Sequence, residues 1–207
     1  ADALVALLTP IAKAFITDTG FETTVIGQQV LGGHGYVREW GQEQLVRDCR
    51  IAQIYEGTNG IQALDLLGRK VVGSRGELVK PLLEDIQALL AEPVAELTLE
   101  YEQLGTAVQR VQTATESVLQ QVAAGDENIV NSVAVEYLHL LGYVTYGYLW
   151  LRMAKTAQPL VAERPYLASK VKTAKFYMAR LLPRVESLAA AIEDGSQSLY
   201  LHELGDF

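Results

Sequence analysis

Apolar residues recur every three or four positions along most of the chain, which is the period of an amphipathic helix. The first such run has apolar positions at Ile11, Ala14, Phe15, Phe21, Val25, Ile26 and Val30. A helical stretch over residues 1–8 precedes it. We expect Thr9 and Pro10 to start the main helix as N-cap and first residue, and Gly32-Gly33 to end it.

The next part of the sequence predicts two short helices separated by a break. Residues 32–41 predict a loop, and residues 42–54 a helix with Leu45, Val46, Cys49 and Ala52 facing inward. Gly57-Thr58-Asn59-Gly60 then interrupts the pattern before a second amphipathic run over 61–72. Thr58 is a good N-cap for that second helix.

Four longer segments follow, over 77–91, 94–124, 128–157 and 165–193. The second and fourth have apolar positions in alternating steps of three and four, the 3.5-residue period of helices that cross at shallow angles. We therefore predict an all-α fold whose second part is an antiparallel four-helix bundle. Pro183 should kink the last helix. The third segment is apolar on nearly every side, which predicts a helix that is either central or buried on two sides. His139 on it has no evident partner.

Charge divides the chain unevenly. The net charge of the 207 residues is −8, which argues against a nucleic-acid partner. Residues 1–75 carry seven basic and eight acidic side chains, and residues 76–207 carry ten and seventeen. With the turn signal at 73–76, this predicts two domains, 1–75 and 76–207.

Other features narrow the class of protein. Cys49 is the only cysteine, so no disulfide forms within the chain, and we expect a reducing cytoplasm. No metal-ligand spacing is present, and we expect neither a bound metal nor a membrane span. The chain starts at Ala1 within an apolar pattern, so we interpret it as a fragment of a longer protein.

Glu56 is the strongest candidate for chemistry. It lies at the break between two helices, just before a helix N-terminus, where the dipole favours the ionised carboxylate while burial would raise its pKa. A general base needs that balance. The alternative is a solvated turn residue, which local chemistry alone favours.

Two sequence motifs favour the interpretation of Glu56 as a catalytic base over that of a solvated turn residue. Tyr55-Glu56-Gly57-Thr58, preceded by Arg47-Asp48, resembles the C-terminal signature of flavin-dependent acyl-CoA dehydrogenases. The stretch Gln29-Val30-Leu31-Gly32-Gly33-His34-Gly35-Tyr36 resembles the glycine loop of the same family. The resemblance covers residues 1–73. The rest resembles, by position and pattern, the extra helical domain of longer bacterial members, so we expect a bacterial cytoplasmic enzyme.

The resemblance implies oxidation of an acyl-CoA to the trans-2-enoyl-CoA with FAD, and Glu56 as the base that removes the α proton. Tyr55 and Gly57 would contact the substrate. The remaining implied residues would contact FAD. Thr58 and Gly60 would contact the flavin of the same subunit, and Gln29, Gly32 and Gly33 would contact the flavin of a neighbouring subunit. Many shorter members have Gln at the position of Gly60. Electron-transfer flavoprotein would accept the electrons, and the protein would be a dimer or tetramer.

Two other functions fit the sequence. The C-terminal bundle could drive oligomerisation as a helical interaction module, with residues 1–75 as a remnant. An acyl-CoA oxidase would use the same base and flavin with oxygen as acceptor. Whether the enzyme is a dehydrogenase or an oxidase, the resemblance implies that the N-terminal helical domain and the middle β-domain lie outside this chain. We therefore expect the fragment alone to be inactive.

Overall fold

The computed structural model describes residues 2–202 and 204–206. Among these residues there is no strand, which confirms the all-α prediction. The helices are α1 (Asp2–Leu31), α2 (Gly33–Tyr36), α3 (Gln42–Arg50), α4 (Asn59–Leu64), α5 (Lys80–Leu90), α6 (Thr98–Ala123), α7 (Ile129–Ala157), α8 (Ala168–Arg180) and α9 (Arg184–Asp194). Helix α4 continues directly into a π-helical segment, Asp65–Val72. Short 3₁₀ turns occupy several of the connections, among them Arg38–Trp40 and Ile51–Gln53.

The four predicted bundle segments correspond to α5, α6, α7 and the pair α8–α9. Helix α6 packs against α7 and α9, and α7 packs against α8 and α9, whereas α5 makes fewer contacts, with α1 and α6. The last segment is interrupted where Pro183 was predicted to kink it. Helix α8 ends at Arg180, and α9 begins at Arg184. The break lets α8 and α9 pack against α7 separately.

Helix α7 is the central helix, as its apolar sequence predicted. One side packs against α6, α8 and α9, and the other packs against α1, α4 and the π-helical segment. Tyr137, fully buried on α7, meets the hydroxyl of Thr115 on α6 at 2.6 Å. Burial of that phenol raises the pKa of Tyr137 far above its usual value.

Helices α1 and α7 make a close contact at Phe15 and Gly142. A Cβ placed on Gly142 would lie 2.4 Å from the Phe15 ring, so only glycine admits the ring at this depth. Phe15 also makes edge-on contacts with Tyr143 and Tyr146, with ring centroids 4.9 and 5.0 Å apart. One continuous core therefore runs through residues 1–75 and 76–207. The division into two domains stays a prediction.

The predicted helix start at Thr9-Pro10 is wrong. Helix α1 runs through both residues, although Pro10 has no N–H for the carbonyl of Ala6. The buried Lys70 donates from Nζ to that carbonyl oxygen, at 2.5 Å, and pairs with Asp65 at 3.0 Å. A distant side chain thus replaces the hydrogen bond that proline removes, which the local sequence could not indicate.

Residues 32–41 are more ordered than the predicted loop, because they contain α2 and a 3₁₀ turn. The prediction that Leu45 faces inward is also wrong. Leu45 is 53% exposed, and α3 has no fully buried residue. The face of α3 that the pattern marked as a core face is therefore only partly covered by this chain.

Helix α1 has several large apolar side chains that the described residues leave exposed, at Val5, Ile16, Val25, Ile26, Val30 and Leu31. By length and composition, α1 alone among the described helices could cross a membrane. The core helix of a soluble protein passes the same test, and α1 buries Leu7, Ile11 and Phe15. The expected absence of a membrane span stays a prediction.

Candidate functional site

Glu56 lies at a break between helices, as predicted. Helix α3 ends in a 3₁₀ turn, Ile51–Gln53, and α4 begins at Asn59. Thr58 is the N-cap of α4, and its Oγ1 accepts a hydrogen bond from the N–H of Ile61 at 3.4 Å. We refer to residues 54–58 as the joint.

The joint places Glu56 in the left-handed region, at φ 54°, and Gly57 follows at φ 81°. This conformation costs a residue with a side chain about 1 kcal/mol or more, so the surroundings must hold it. Gln62 helps, because its Nε2 donates to the carbonyl oxygen of Glu56 at 3.2 Å. The turn leaves Glu56 exposed.

The predicted substrate and flavin contacts surround Glu56. Tyr55, Gly57, Thr58 and Gly60 are all exposed, and so is Glu56 itself. Exposed apolar side chains border them, with Ile51, Ile54 and Ile61 each about half exposed. Within the described residues the joint is therefore an open, apolar-edged surface, and a dry pocket would need walls from outside this chain.

Asp18 on α1 holds both ends of the joint. Its Oδ1 accepts a hydrogen bond from Gln53 Nε2 at 2.7 Å and another from Asn59 Nδ2 at 2.6 Å. Gln53 comes just before the joint and Asn59 just after it. One carboxylate on a long helix thus fixes the distance between the two ends of the turn that carries Glu56.

Further contacts support this clamp. Asn59 Oδ1 accepts from Lys13 Nζ at 2.7 Å, and Asn59 Nδ2 also contacts Thr17 Oγ1 at 2.9 Å. His139 on α7 places Nε2 3.0 Å from Asp18 Oδ2. The expectation that His139 has no partner is wrong, because its partner lies far away along the chain.

The clamp depends on an ionised Asp18. Burial alone would raise the pKa of Asp18, but hydrogen bonds from His139, Gln53 and Asn59 favour the charged form. Together they hold the pKa of Asp18 below its usual value. Since a carboxylate only accepts hydrogen bonds, all three neighbours must donate.

The second predicted group is brought together at the end of α1. Gln29, Gly32 and Gly33 line one open hollow of about 420 Å³, beside Gln28 and Tyr36. Gly32 has φ 57°, and a Cβ placed on Gly32 or Gly33 would meet nothing within 4 Å. The backbone at Gly32 and Gly33 is thus free of close side-chain contacts and open to a ligand.

The structure keeps the two groups apart. No residue of the joint lines the glycine hollow, and α3 lies between them in the chain. Arg47 and Asp48 are both exposed, and neither has an ion pair among the described residues, although Gln44 donates to Asp48 at 2.6 Å. No group of three metal-ligating side chains was found in the described part of the chain.

Sequence reasoning missed the clamp. Asp18 lies in a helix whose pattern drew attention to its apolar residues, and His139 lies in one that is apolar on every side. The available signal was the presence of a polar residue, Asp18 or His139, inside each apolar run. A half-buried charge needs a partner, so each residue indicated a contact with another part of the chain.

These features define an all-α chain that presents a carboxylate on a clamped helix break and a glycine hollow at a helix end. A family model described as "Acyl-CoA dehydrogenase, C-terminal domain" matches residues 2–71, and one described as "Acetyl-CoA dehydrogenase C-terminal like" matches residues 82–202. The chain belongs to the acyl-CoA dehydrogenase family.

Several curated proteins are similar over nearly the whole chain. A 3-methylmercaptopropionyl-CoA dehydrogenase of Ruegeria pomeroyi is 31% identical over 96% of this chain and 35% of its own length. A butyryl-CoA dehydrogenase of Syntrophomonas wolfei is 29% identical, over 89% and 31%. A broad-specificity linear acyl-CoA dehydrogenase of Mycobacterium tuberculosis is 27% identical, over 90% and 33%. The chain thus spans about a third of the length of these relatives.

Proposed function

We propose that this chain is the C-terminal part of a flavin-dependent enzyme that oxidises an acyl-CoA to the trans-2-enoyl-CoA, with Glu56 as the base. The observation that carries the proposal is the clamped joint, which exposes a single carboxylate on a strained turn. Strained backbone conformations of this kind concentrate at functional sites.

The base would act on the carbon next to the thioester carbonyl. Glu56 would take the α proton as the C–H bond breaks, and the hydride would leave the β carbon at the same time. The backbone N–H of Glu56 would donate to the thioester oxygen and stabilise the negative charge that develops there. Tyr55 and Gly57 would border the acyl chain, and the apolar edge of the joint would help to exclude water.

FAD would supply the hydride acceptor when bound. The glycine hollow fits a dinucleotide, because its backbone is open and no side chain fills it. Gln29, Gly32 and Gly33 would hold the ADP half of a flavin from a neighbouring subunit, whereas Thr58 and Gly60 would contact the flavin at this chain's own joint. The separation of the two groups supports this division, which requires a dimer or tetramer.

Electron-transfer flavoprotein is the proposed electron acceptor, and a bacterial cytoplasm the proposed location. The relatives named above are dehydrogenases, which favours a protein acceptor over oxygen. An oxygen-electrode assay on the intact protein tests this, since oxygen consumption at the rate of substrate turnover would instead indicate an oxidase.

The decisive experiment is Glu56→Gln in the intact protein. We expect dehydrogenation to fall by at least about a thousandfold, because the amide cannot take a proton, while flavin absorbance and the far-ultraviolet spectrum stay unchanged. Glu84→Gln, at an exposed position on α5, is the control and should keep full activity. If Glu56→Gln retained activity with flavin bound, the base would be another residue.

The isolated chain gives a separate test. We expect residues 1–207 alone to bind no FAD at micromolar concentration and to show no turnover, because they contribute only one open face of each proposed site. Flavin absorbance that persists through gel filtration of the isolated chain, together with measurable dehydrogenation, would contradict this.

A further inference from the structure

A second concave site lies at the end of α7, and no residue of the joint lines it. It is a groove of about 630 Å³ between the last turns of α7, the connection 158–167 and the first turns of α8. We call it the basic groove. Its volume falls within the range of about 300–1,000 Å³ that is usual for sites that bind one small molecule.

The floor of the basic groove is apolar. Leu149 and Met153, one turn apart on α7, are 41% and 40% exposed, and Leu160 adds to the floor from the connection. Two large apolar side chains side by side in a hollow form a surface from which the release of water is favourable.

The rim of the basic groove is cationic. Arg152, Arg164 and Lys170 all line it, and none of them has an ion pair among the described residues. No acidic side chain of the described residues lines the groove. Residues 145–175 carry six Lys or Arg and one acidic residue, Glu163, in a chain of net charge −8.

Fold stability does not explain this arrangement. The C-terminus of a helix attracts cations, which accounts for Arg152 near the end of α7. Lys170, however, lies in the first turn of α8, where the helix dipole disfavours a positive charge, and that turn has no acidic residue to compensate. Its Nζ lies 5.7 Å from the ring centroid of Trp150, which holds the ammonium beside the groove.

We propose that the basic groove binds a single-chain amphiphilic anion, a fatty-acid carboxylate, with its alkyl chain on Leu149 and Met153 and its carboxylate between Arg164 and Lys170. A carboxylate supplies the negative charge that the rim lacks, and a single chain fits the apolar floor. An acidic protein partner would need a much larger surface, about 800 Å² on each side. This site is independent of Glu56 and of the proposed function.

Dodecanoate below its micelle concentration is the probe. In a Trp40→Phe variant of the full chain, Trp150 is the only tryptophan. We expect a saturable change in its fluorescence as Lys170 turns from the ring toward the carboxylate. Acetate, which has the charge without the chain, and dodecanol, which has the chain without the charge, should bind at least about tenfold more weakly.

Calorimetry compares variants without relying on tryptophan. Lys170→Gln should weaken dodecanoate binding about fivefold, whereas Lys172→Gln, exposed on the same helix but outside the groove, should leave it unchanged. Met153→Ser should weaken it as well. The proposal is overturned if the two lysine variants behave alike, if dodecyltrimethylammonium binds as well as dodecanoate, or if the chain binds anionic vesicles but not the monomeric anion.

Discussion

His139 Nε2 lies 3.0 Å from Asp18 Oδ2, across 121 positions of sequence. Asp18 also holds Gln53 and Asn59, the residues on either side of the joint. The C-terminal bundle is thus connected to the turn that carries Glu56 through one carboxylate. A shift of α7 relative to α1 would change the contact between His139 and Asp18, the residue that holds both ends of the joint.

The first prediction concerns Asp18→Asn. The amide cannot accept all three hydrogen bonds, so we expect unfolding in urea to become easier by about 1–3 kcal/mol. Amide hydrogen exchange in residues 51–62 should rise several-fold at the same time, because the ends of the joint are released.

The matched control is Asp126→Asn. Asp126 also accepts three hydrogen bonds, from the N–H groups of Asn128 and Ile129 and from Ser196 Oγ. Its loss should increase exchange at the start of α7 and leave residues 51–62 unchanged. Equal exchange at the joint in both variants would contradict the role of Asp18 as a clamp.

The second prediction follows from the lowered pKa of Asp18. The unfolded chain has an aspartate pKa of about 4, so the stability that Asp18 contributes is present above that value and is lost as the pH falls through the lower folded pKa. The difference in unfolding free energy between wild type and Asp18→Asn should therefore be constant near pH 7 and narrow below about pH 4. Urea unfolding at pH 7, 5, 4 and 3 measures it. A difference that grew toward low pH would contradict the assigned direction.

The third prediction concerns the strain at Glu56. Glu56 has φ 54°, and its side chain has no hydrogen bond or ion pair among the described residues. Glu56→Gly should therefore leave the free energy of unfolding unchanged or raise it by up to about 1 kcal/mol, which thermal unfolding measures. Arg75→Gly, also at φ 54° and also followed by a glycine, should behave in the same way. Gly57→Ala should be destabilising, since φ is 81° and its Cβ would lie 2.8 Å from Gln62 Nε2. A stability loss in Glu56→Gly alone would reveal a stabilising contact of that carboxylate.

The fourth prediction tests the contact between α1 and α7. Gly142→Ala would place a Cβ 2.4 Å from the Phe15 ring, and we expect a loss of about 2–3 kcal/mol in thermal or urea unfolding. Gly105→Ala is the control, because its Cβ would lie 4.0 Å from the nearest side chain. That change should stabilise α6 by up to about 1 kcal/mol. Similar effects of the two changes would mean that Phe15 does not pack against α7 as described.

Much of the fold could be predicted from the sequence because its helices are long and strongly periodic. The break at Pro183, the N-cap at Thr58 and the central position of α7 all follow from local rules for proline, capping and apolar spacing. Residues 29–33 and 55–60 were found by motif, and the structure places each group on one surface.

The errors arise where a distant residue decides the local structure. Pro10 signals a helix start unless another group satisfies the carbonyl of Ala6, and that group is Lys70, on a different helix. His139 and Asp18 each look unpaired in sequence because their contact depends on how α1 packs against α7. Leu45 is exposed because no element of the described residues covers that side of α3.

The central position of α7 has a consequence for shortened forms of the protein. A truncation at the turn 73–76 would remove α7, against which Phe15 packs, and would leave Asp18 without His139. The product would expose apolar surface on two sides of α1, and we expect it to precipitate or to be bound by chaperones. A shortened form of this chain would therefore need polar residues at the positions of α1 that α7 covers.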